Sequence, residues 1–104
     1  MVIELSELRR AVDVAMGRCP GTLLLKNARL VNVFTLSLQH THILLAGRLV
    51  AAVGLEYAQA EAEQVIDLEG RWVAPGLIDG HVHLESSLVS PAEYARGVVP
   101  RGVT

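Results

Sequence analysis

Two histidines separated by a single residue, His81 and His83, are the side chains of this chain best suited to chemistry. Side chains on a β-strand alternate between its two faces, so both imidazoles would lie on the same face. Imidazole is a common metal ligand, and two of them on one face can converge on one cation. A His-x-His pair also arises by chance, and the alternative is two polar residues at the end of a strand.

The residues around the pair predict a buried strand that runs into a helix. Pro75-Gly76 precedes the segment, and the even-numbered positions from 78 to 84 are all apolar or glycine. Asp79 and Glu85 share the face of the two histidines, and a helix start follows at Ser90. Active sites of (β/α)8 barrels lie at the C-terminal ends of their strands. The pattern therefore indicates a barrel strand that ends in metal ligands.

Residues 73–83 resemble the first-strand signature of the amidohydrolase superfamily. The continuation over residues 84–91 is similar to one branch of that superfamily, the adenine deaminases, as are residues 12–17 and 23–34. The resemblance covers nearly all of the chain. It implies a mixed, mainly β fold, with a small β-sandwich-like N-terminal domain followed by the first strand and helix of a (β/α)8 barrel.

The resemblance also implies a reaction, the hydrolysis of adenine to hypoxanthine and ammonia by the complete enzyme. His81 and His83 would be two ligands of a divalent metal (manganese, iron or zinc), and later barrel strands would supply the other ligands and the general acid or base. A catalytic metal site needs at least three protein ligands and an open position. The 104-residue chain is therefore expected to be inactive and to bind metal weakly or not at all.

Two carboxylates lie close to the pair, and two assignments stay open for each of them. For Glu85 the resemblance implies a catalytic or metal-side role, and the alternative is a loop that hydrogen-bonds to itself and precedes the next helix. Asp79 could orient an imidazole or could serve only the local structure.

Three hypotheses for the function stay open, and the run Glu85-Ser86-Ser87 after the histidine pair favours the first of them over the second. A complete barrel needs about 250 residues, so 104 residues are expected to be the N-terminal portion of an adenine deaminase. A second hypothesis is a portion of another amidohydrolase that acts on a cyclic amide. The third is a stand-alone β domain without catalysis, which the length of 104 residues favours for the chain as it stands.

Composition restricts the partners. A net charge of -2 gives no reason to expect binding to nucleic acid or to an anionic membrane surface. Charged residues interrupt the first residues, which excludes a secretory signal, and no apolar run is long enough to span a membrane. The single cysteine, Cys19, excludes an internal disulfide. A cytoplasmic protein is expected.

Periodicity and turn residues predict three parts: a helix and linker over residues 1–20, a small β domain over 21–74 and a first β/α unit over 75–104. Ser6 is the expected cap of the first helix, and Ser90 with Pro91 and Glu93 predicts the start of the second. The strands are expected at residues 22–26, 29–34, 41–46, 48–53 and 64–68, mostly antiparallel.

Two further expectations concern surfaces. The second His-x-His pair, His40 and His42, is interpreted as a solvated hairpin edge without a metal. Residues 77–85, as a barrel strand without neighbours, would expose an unpaired edge that favours self-association into a homo-oligomer.

Overall fold

The computed structural model describes residues 2–104, which divide into two compact units, one ending at Ala74 and one spanning Pro75–Thr104. The first unit contains one helix and five strands: α1 (Leu5–Ala15), β1 (Gly21–Asn32), β2 (Ser37–Ala46), β3 (Leu49–Val53), β4 (Ala62–Asp67) and β5 (Trp72–Val73). A 3-10 helix, Leu55–Gln59, joins β3 to β4. The second unit contains α2 (Pro91–Val98) and two short 3-10 helices, Leu84–Ser87 and Val99–Arg101.

The five strands form one mixed sheet in which β1 is central. β1 pairs antiparallel with β2, and β2 pairs antiparallel with β3. On its other side β1 pairs parallel with both β4 and β5. The mixed, mainly β class is confirmed. The expected sandwich with mostly antiparallel strands is wrong for the described residues, because the chain crosses from β3 to the opposite edge of the same sheet before β4 begins.

Helix α1 packs against β2 and β3 and completes a small aliphatic core. Val14 is buried against Leu24 of β1 and against Leu44 and Ala46 of β2. The helix ends at Ala15 with Met16 as its C-cap, and Gly17 follows with a φ of +74°, which suits a residue without a side chain. No helix in residues 2–104 is long and apolar enough to cross a membrane.

The start of α1 corrects the expected cap. Ser6 lies inside the first turn, and Glu4 is the N-cap residue. The backbone nitrogen of Glu4 donates to a carboxylate oxygen of Glu7 at 2.8 Å. The helix therefore begins one residue after Glu4, because the Glu7 carboxylate satisfies the backbone amide of this N-cap residue.

A β-bulge keeps β1 continuous where the sequence predicted two segments. Lys26 and Asn27 lie together opposite His42, and Asn27 adopts a φ of +56°. The bulge amide of Asn27 donates to Nδ1 of His42 at 3.1 Å. His42 is only 6% exposed, so its expected place on a solvated edge is wrong, whereas His40 is exposed. The reason is that β2 begins at Ser37, which places His42 in the middle of a paired strand.

The same bulge anchors the turn between β4 and β5. The side-chain amide of Asn27 donates to Oδ1 of Asp67 at 3.0 Å, and the backbone carbonyl of Asn27 accepts from the backbone nitrogen of Gly70 at 2.8 Å. Asp67 Oδ1 also accepts from the backbone nitrogen of Glu69 at 2.9 Å. The two hydrogen bonds to Oδ1 lower the pKa of the Asp67 carboxyl, and the one from the Asn27 side-chain amide has the larger effect.

Helix α2 begins as its sequence predicts. Ser90 is the N-cap, its hydroxyl accepts from the backbone nitrogen of Glu93 at 3.3 Å, and Pro91 takes the first helical position. The Glu93 carboxylate contacts Arg96 at 2.9 Å, so the reciprocal half of the expected capping box is replaced by an ion pair.

Candidate metal centre

The segment that carries His81 and His83 is not a strand, which corrects the expected geometry. Leu77 alone is paired, in a bridge with Val103, and residues 78–83 have no regular structure. Leu77 donates to the carbonyl of Gly102 at 2.7 Å and accepts from Thr104 at 2.9 Å. A strand needs a hydrogen-bonding partner along its length, and in the second unit that partner reaches only Leu77.

The two imidazoles nevertheless converge. Nε2 of His81 lies 2.9 Å from Nε2 of His83, with ring centroids 4.8 Å apart and ring planes inclined by 59°. A local turn contributes to this arrangement, because the backbone nitrogen of His81 donates to Oδ1 of Asp79 at 3.1 Å. The chain then enters the 3-10 helix Leu84–Ser87.

A carboxylate holds the far side of one ring. Nδ1 of His83 lies 2.9 Å from Oε1 of Glu85, a contact in which the ring nitrogen donates because an ionised carboxylate only accepts. With the proton on Nδ1, Nε2 of a neutral His83 carries a lone pair, which accepts the Nε2–H of His81 at 2.9 Å. The two carboxylates thus differ in their contacts. Asp79 accepts a hydrogen bond from the backbone, whereas Glu85 contacts an imidazole ring.

The donor set suits part of a transition-metal site. Imidazole nitrogens bind zinc at about 2.0–2.1 Å, so two of them on one tetrahedral ion stand about 3.4 Å apart. The separation of 2.9 Å between the two Nε2 atoms would have to open by about half an ångström. Both rings are exposed to solvent. Residues 2–104 contain no group of three or more His, Cys, Asp or Glu side chains placed to hold a metal ion.

Comparison with known proteins gives this pair its context. No protein-family model matches the chain. An adenine deaminase from Kosmotoga olearia is 50% identical over 93 residues, which is 89% of this chain and 16% of that protein. The chain is homologous to the N-terminal portion of adenine deaminases. An adenine deaminase from Listeria monocytogenes is 41% identical over 104 residues, 100% of this chain and 17% of that protein.

The chain thus spans about one sixth of the length of the adenine deaminases it matches. Among solved structures, L-hydantoinase (dihydropyrimidinase) from Arthrobacter aurescens is similar with a TM-score of 0.53 and 35% identity. That match covers 61% of this chain and 14% of the hydantoinase. The amidohydrolase resemblance inferred from residues 73–83 is therefore confirmed by sequence and by structure.

Proposed function

We propose that this chain is the metal-holding N-terminal portion of an adenine deaminase, which hydrolyses adenine to hypoxanthine and ammonia. The identity of 50% over 93 residues with an adenine deaminase is the observation that carries the proposal. The alignment with the Listeria protein covers all 104 residues and so includes His81, His83 and Glu85.

The three side chains have separate roles in this proposal. His81 and His83 hold one divalent ion (manganese, iron or zinc) through their converging Nε2 atoms. Glu85 is a positioning residue, because its carboxylate accepts from Nδ1 of His83 and leaves Nε2 free to bind. A bound ion would supply one thing: it lowers the pKa of its water ligand to about 7, which provides a nucleophile at neutral pH.

The described residues supply too few metal ligands for a catalytic site of their own. Two imidazoles are fewer than the three protein ligands that a catalytic site requires. We propose that the missing ligands and the group that protonates the leaving ammonia belong to the rest of a full-length deaminase. In that protein, residues 75–104 are proposed as the first β/α unit of a (β/α)8 barrel, in which a neighbouring parallel strand orders residues 77–85.

An ammonia-release assay tests the proposal directly. The full-length protein that contains this sequence and the 104-residue chain are each incubated with adenine and Mn²⁺, Fe²⁺ or Zn²⁺. We expect hypoxanthine and ammonia from the full-length protein and none from the short chain. Turnover by the short chain would show that the ligand count is wrong.

A second candidate is hydrolysis of a cyclic amide, favoured by the structural similarity to the L-hydantoinase. The same full-length protein is assayed with hydantoin and dihydrouracil. Ring opening without adenine turnover would replace the first proposal. If neither substrate reacts, the remaining hypothesis is a β domain without catalysis.

A further inference from the structure

A groove with a cationic lining lies on the sheet of the first unit. It has a volume of about 400 Å³ and is lined by Arg29, Leu38, Gln39, His40 and Trp72. Small-molecule sites in proteins begin at about 300 Å³. The lining contains an arginine, a histidine and an indole ring but no aspartate or glutamate.

The strand register brings the three chemical groups into one row. Arg29 of β1 lies directly opposite His40 of β2 and directly opposite Trp72 of β5. Directly paired residues of neighbouring strands present their side chains on the same face, about 5 Å apart. The arginine is therefore the centre of the row, between the imidazole and the indole.

The Arg29 side chain lies against an aromatic ring. Its guanidinium carbon is 5.6 Å from the centroid of the Trp72 ring, within the range of a cation–π contact. Gly70 lies close by, and a β-carbon added there would stand 3.7 Å from Nε of Arg29. The aromatic contact uses the face of the guanidinium and leaves its N–H edge available.

Charge complementarity selects the ligand. Among the described residues, none of the ion pairs involves Arg29, so its fork of N–H donors is available. The fork binds two oxygens of a carboxylate or a phosphate equally well. A carboxylate has no third oxygen for the His40 imidazole across the strand pair, whereas a phosphate group does.

We propose that the groove formed by Arg29, His40 and Trp72 binds the phosphate group of a small phosphate ester. Two phosphate oxygens accept from the Arg29 guanidinium, and a third accepts from a ring N–H of His40. This site lies wholly within the first unit and is independent of the proposed deaminase activity.

Trp72 gives a direct readout because it is the only tryptophan in the chain. The 104-residue chain is titrated at pH 7 with inorganic phosphate at constant ionic strength, and tryptophan emission is followed. Sodium chloride and sodium acetate are titrated in parallel. We expect a saturable change with phosphate, a much weaker one with acetate and none with chloride. Equal affinity for acetate, or no saturation with phosphate, overturns the proposal.

Variants test the assigned contacts, with backbone amide chemical shifts as a second readout that does not depend on the stacked indole. Arg29→Lys keeps the charge but loses the fork, and we expect phosphate affinity to fall at least about tenfold. His40→Gln should weaken binding by a smaller factor. Arg18→Gln, at an exposed arginine paired with Asp13, is the matched control and should leave affinity unchanged.

The outcomes separate a folding defect from a binding defect. Circular dichroism is recorded for each variant, and an affinity loss counts only where the spectrum matches that of the parent chain. If Arg29→Lys folds and binds phosphate as tightly as the parent, the assignment of the guanidinium is wrong. If Arg18→Gln weakens binding as much as Arg29→Lys, the effect is general surface charge and the groove is not the site.

Discussion

Nδ1 of His42 accepts the backbone N–H of Asn27 at 3.1 Å, so a side chain on β2 satisfies the bulged amide of β1. In a regular ladder a carbonyl oxygen would take that role. The contact is shielded, since His42 is 6% exposed. It requires an imidazole that carries no proton on Nδ1.

Replacing the histidine with alanine should destabilise the first unit. His42→Ala leaves the partly buried Asn27 amide without its acceptor, and a fully buried unpaired donor costs about 1–3 kcal/mol. We expect a fall within that range in the free energy of unfolding, measured by denaturant titration with Trp72 emission. His42→Asn, which places an oxygen near the lost Nδ1, should recover part of it.

His40→Ala is the matched control, because His40 lies two residues away on the same face of β2 and is exposed. Its effect should stay within about 0.5 kcal/mol. Equal losses for the two alanine variants would show that the hydrogen bond to the bulge contributes little.

The carboxyl group of Asp67 should make the free energy of unfolding of the first unit depend on pH in the acidic range. Hydrogen bonds from Asn27 and Glu69 lower the pKa of this carboxyl below its ordinary value of 3.8. The unfolded chain therefore binds the proton more tightly, so the stabilisation is complete above about pH 4 and is lost as pH falls through the lower folded-state pKa.

Asp67→Asn removes this titration while keeping an oxygen at Oδ1. We expect the stability difference between the parent chain and this variant to shrink as the pH is lowered from 5 towards 2 in urea titrations. Glu63→Gln, on the same strand, serves as the control. A difference that stays constant over this pH range would contradict the assigned hydrogen bonds.

Local signals in the sequence predicted the start of α2 correctly and the cap of α1 incorrectly. The Ser90-Pro91 start of α2 depends on residues within one turn of each other and is present, whereas Glu4 and not Ser6 is the cap of α1. The division of β1 at Asn27 was wrong for a non-local reason. Asparagine often marks a turn, and only the distant His42 supplies the acceptor that lets the strand continue.

The segment that carries His81 and His83 shows the same dependence on distant partners. Alternation over residues 77–85 predicted a strand, but a strand also needs hydrogen-bonding neighbours, and only Leu77 has one. The convergence of His81 and His83 survives because neighbouring side chains need only a local turn to meet. The sequence pattern predicted correctly that the two imidazoles lie together but predicted the wrong backbone conformation for them, and their role as metal ligands stays a prediction.

The aliphatic core gives a prediction with an internal control. Leu44 is 1% exposed and packs in the cluster with Val14 and Leu24, whereas Leu38, on the same strand and face, is 66% exposed. Leu44→Ala should lower the free energy of unfolding by about 2–5 kcal/mol. Leu38→Ala should lower it by about 0.5 kcal/mol or less. Thermal or denaturant unfolding measures both, and similar losses would place the core elsewhere.

Self-association remains a prediction, now from different strands. Residues 77–85 do not form the expected edge, but β3 and β4 each pair on one side only within the described residues. Val50 on β3 and Val65 on β4 are 61% and 52% exposed. Exposed apolar edges favour pairing with another chain, and lysine opposes it.

Light scattering at increasing concentration should therefore show species larger than a monomer, and the double variant Val50→Lys, Val65→Lys should reduce them. Leu36→Lys, at a hairpin tip that is 91% exposed, tests whether apolar contact without edge pairing is responsible. A strict monomer for the parent chain would refute the prediction.

The contact between Glu85 and His83 leads to a prediction about metal affinity in the full-length protein. Removing a carboxylate that orients a ligating histidine typically costs 10- to 100-fold in metal affinity. We expect Glu85→Gln to weaken binding of Zn²⁺ or Mn²⁺ by about that factor. His81→Ala and His83→Ala should weaken it further and abolish ammonia release from adenine, with the fold retained.

A measurement of the His83 tautomer tests whether Glu85 positions the His83 ring or contributes only its negative charge. Nitrogen chemical shifts of the His83 ring in the 104-residue chain should report a proton on Nδ1, because Glu85 accepts there at 2.9 Å. Glu85→Gln should shift the population towards the tautomer protonated on Nε2, which cannot bind a metal through that atom. Glu93→Gln, at an acid already paired with Arg96, should leave the His83 tautomer unchanged. If Glu85→Gln also leaves it unchanged, the carboxylate does not position the ring.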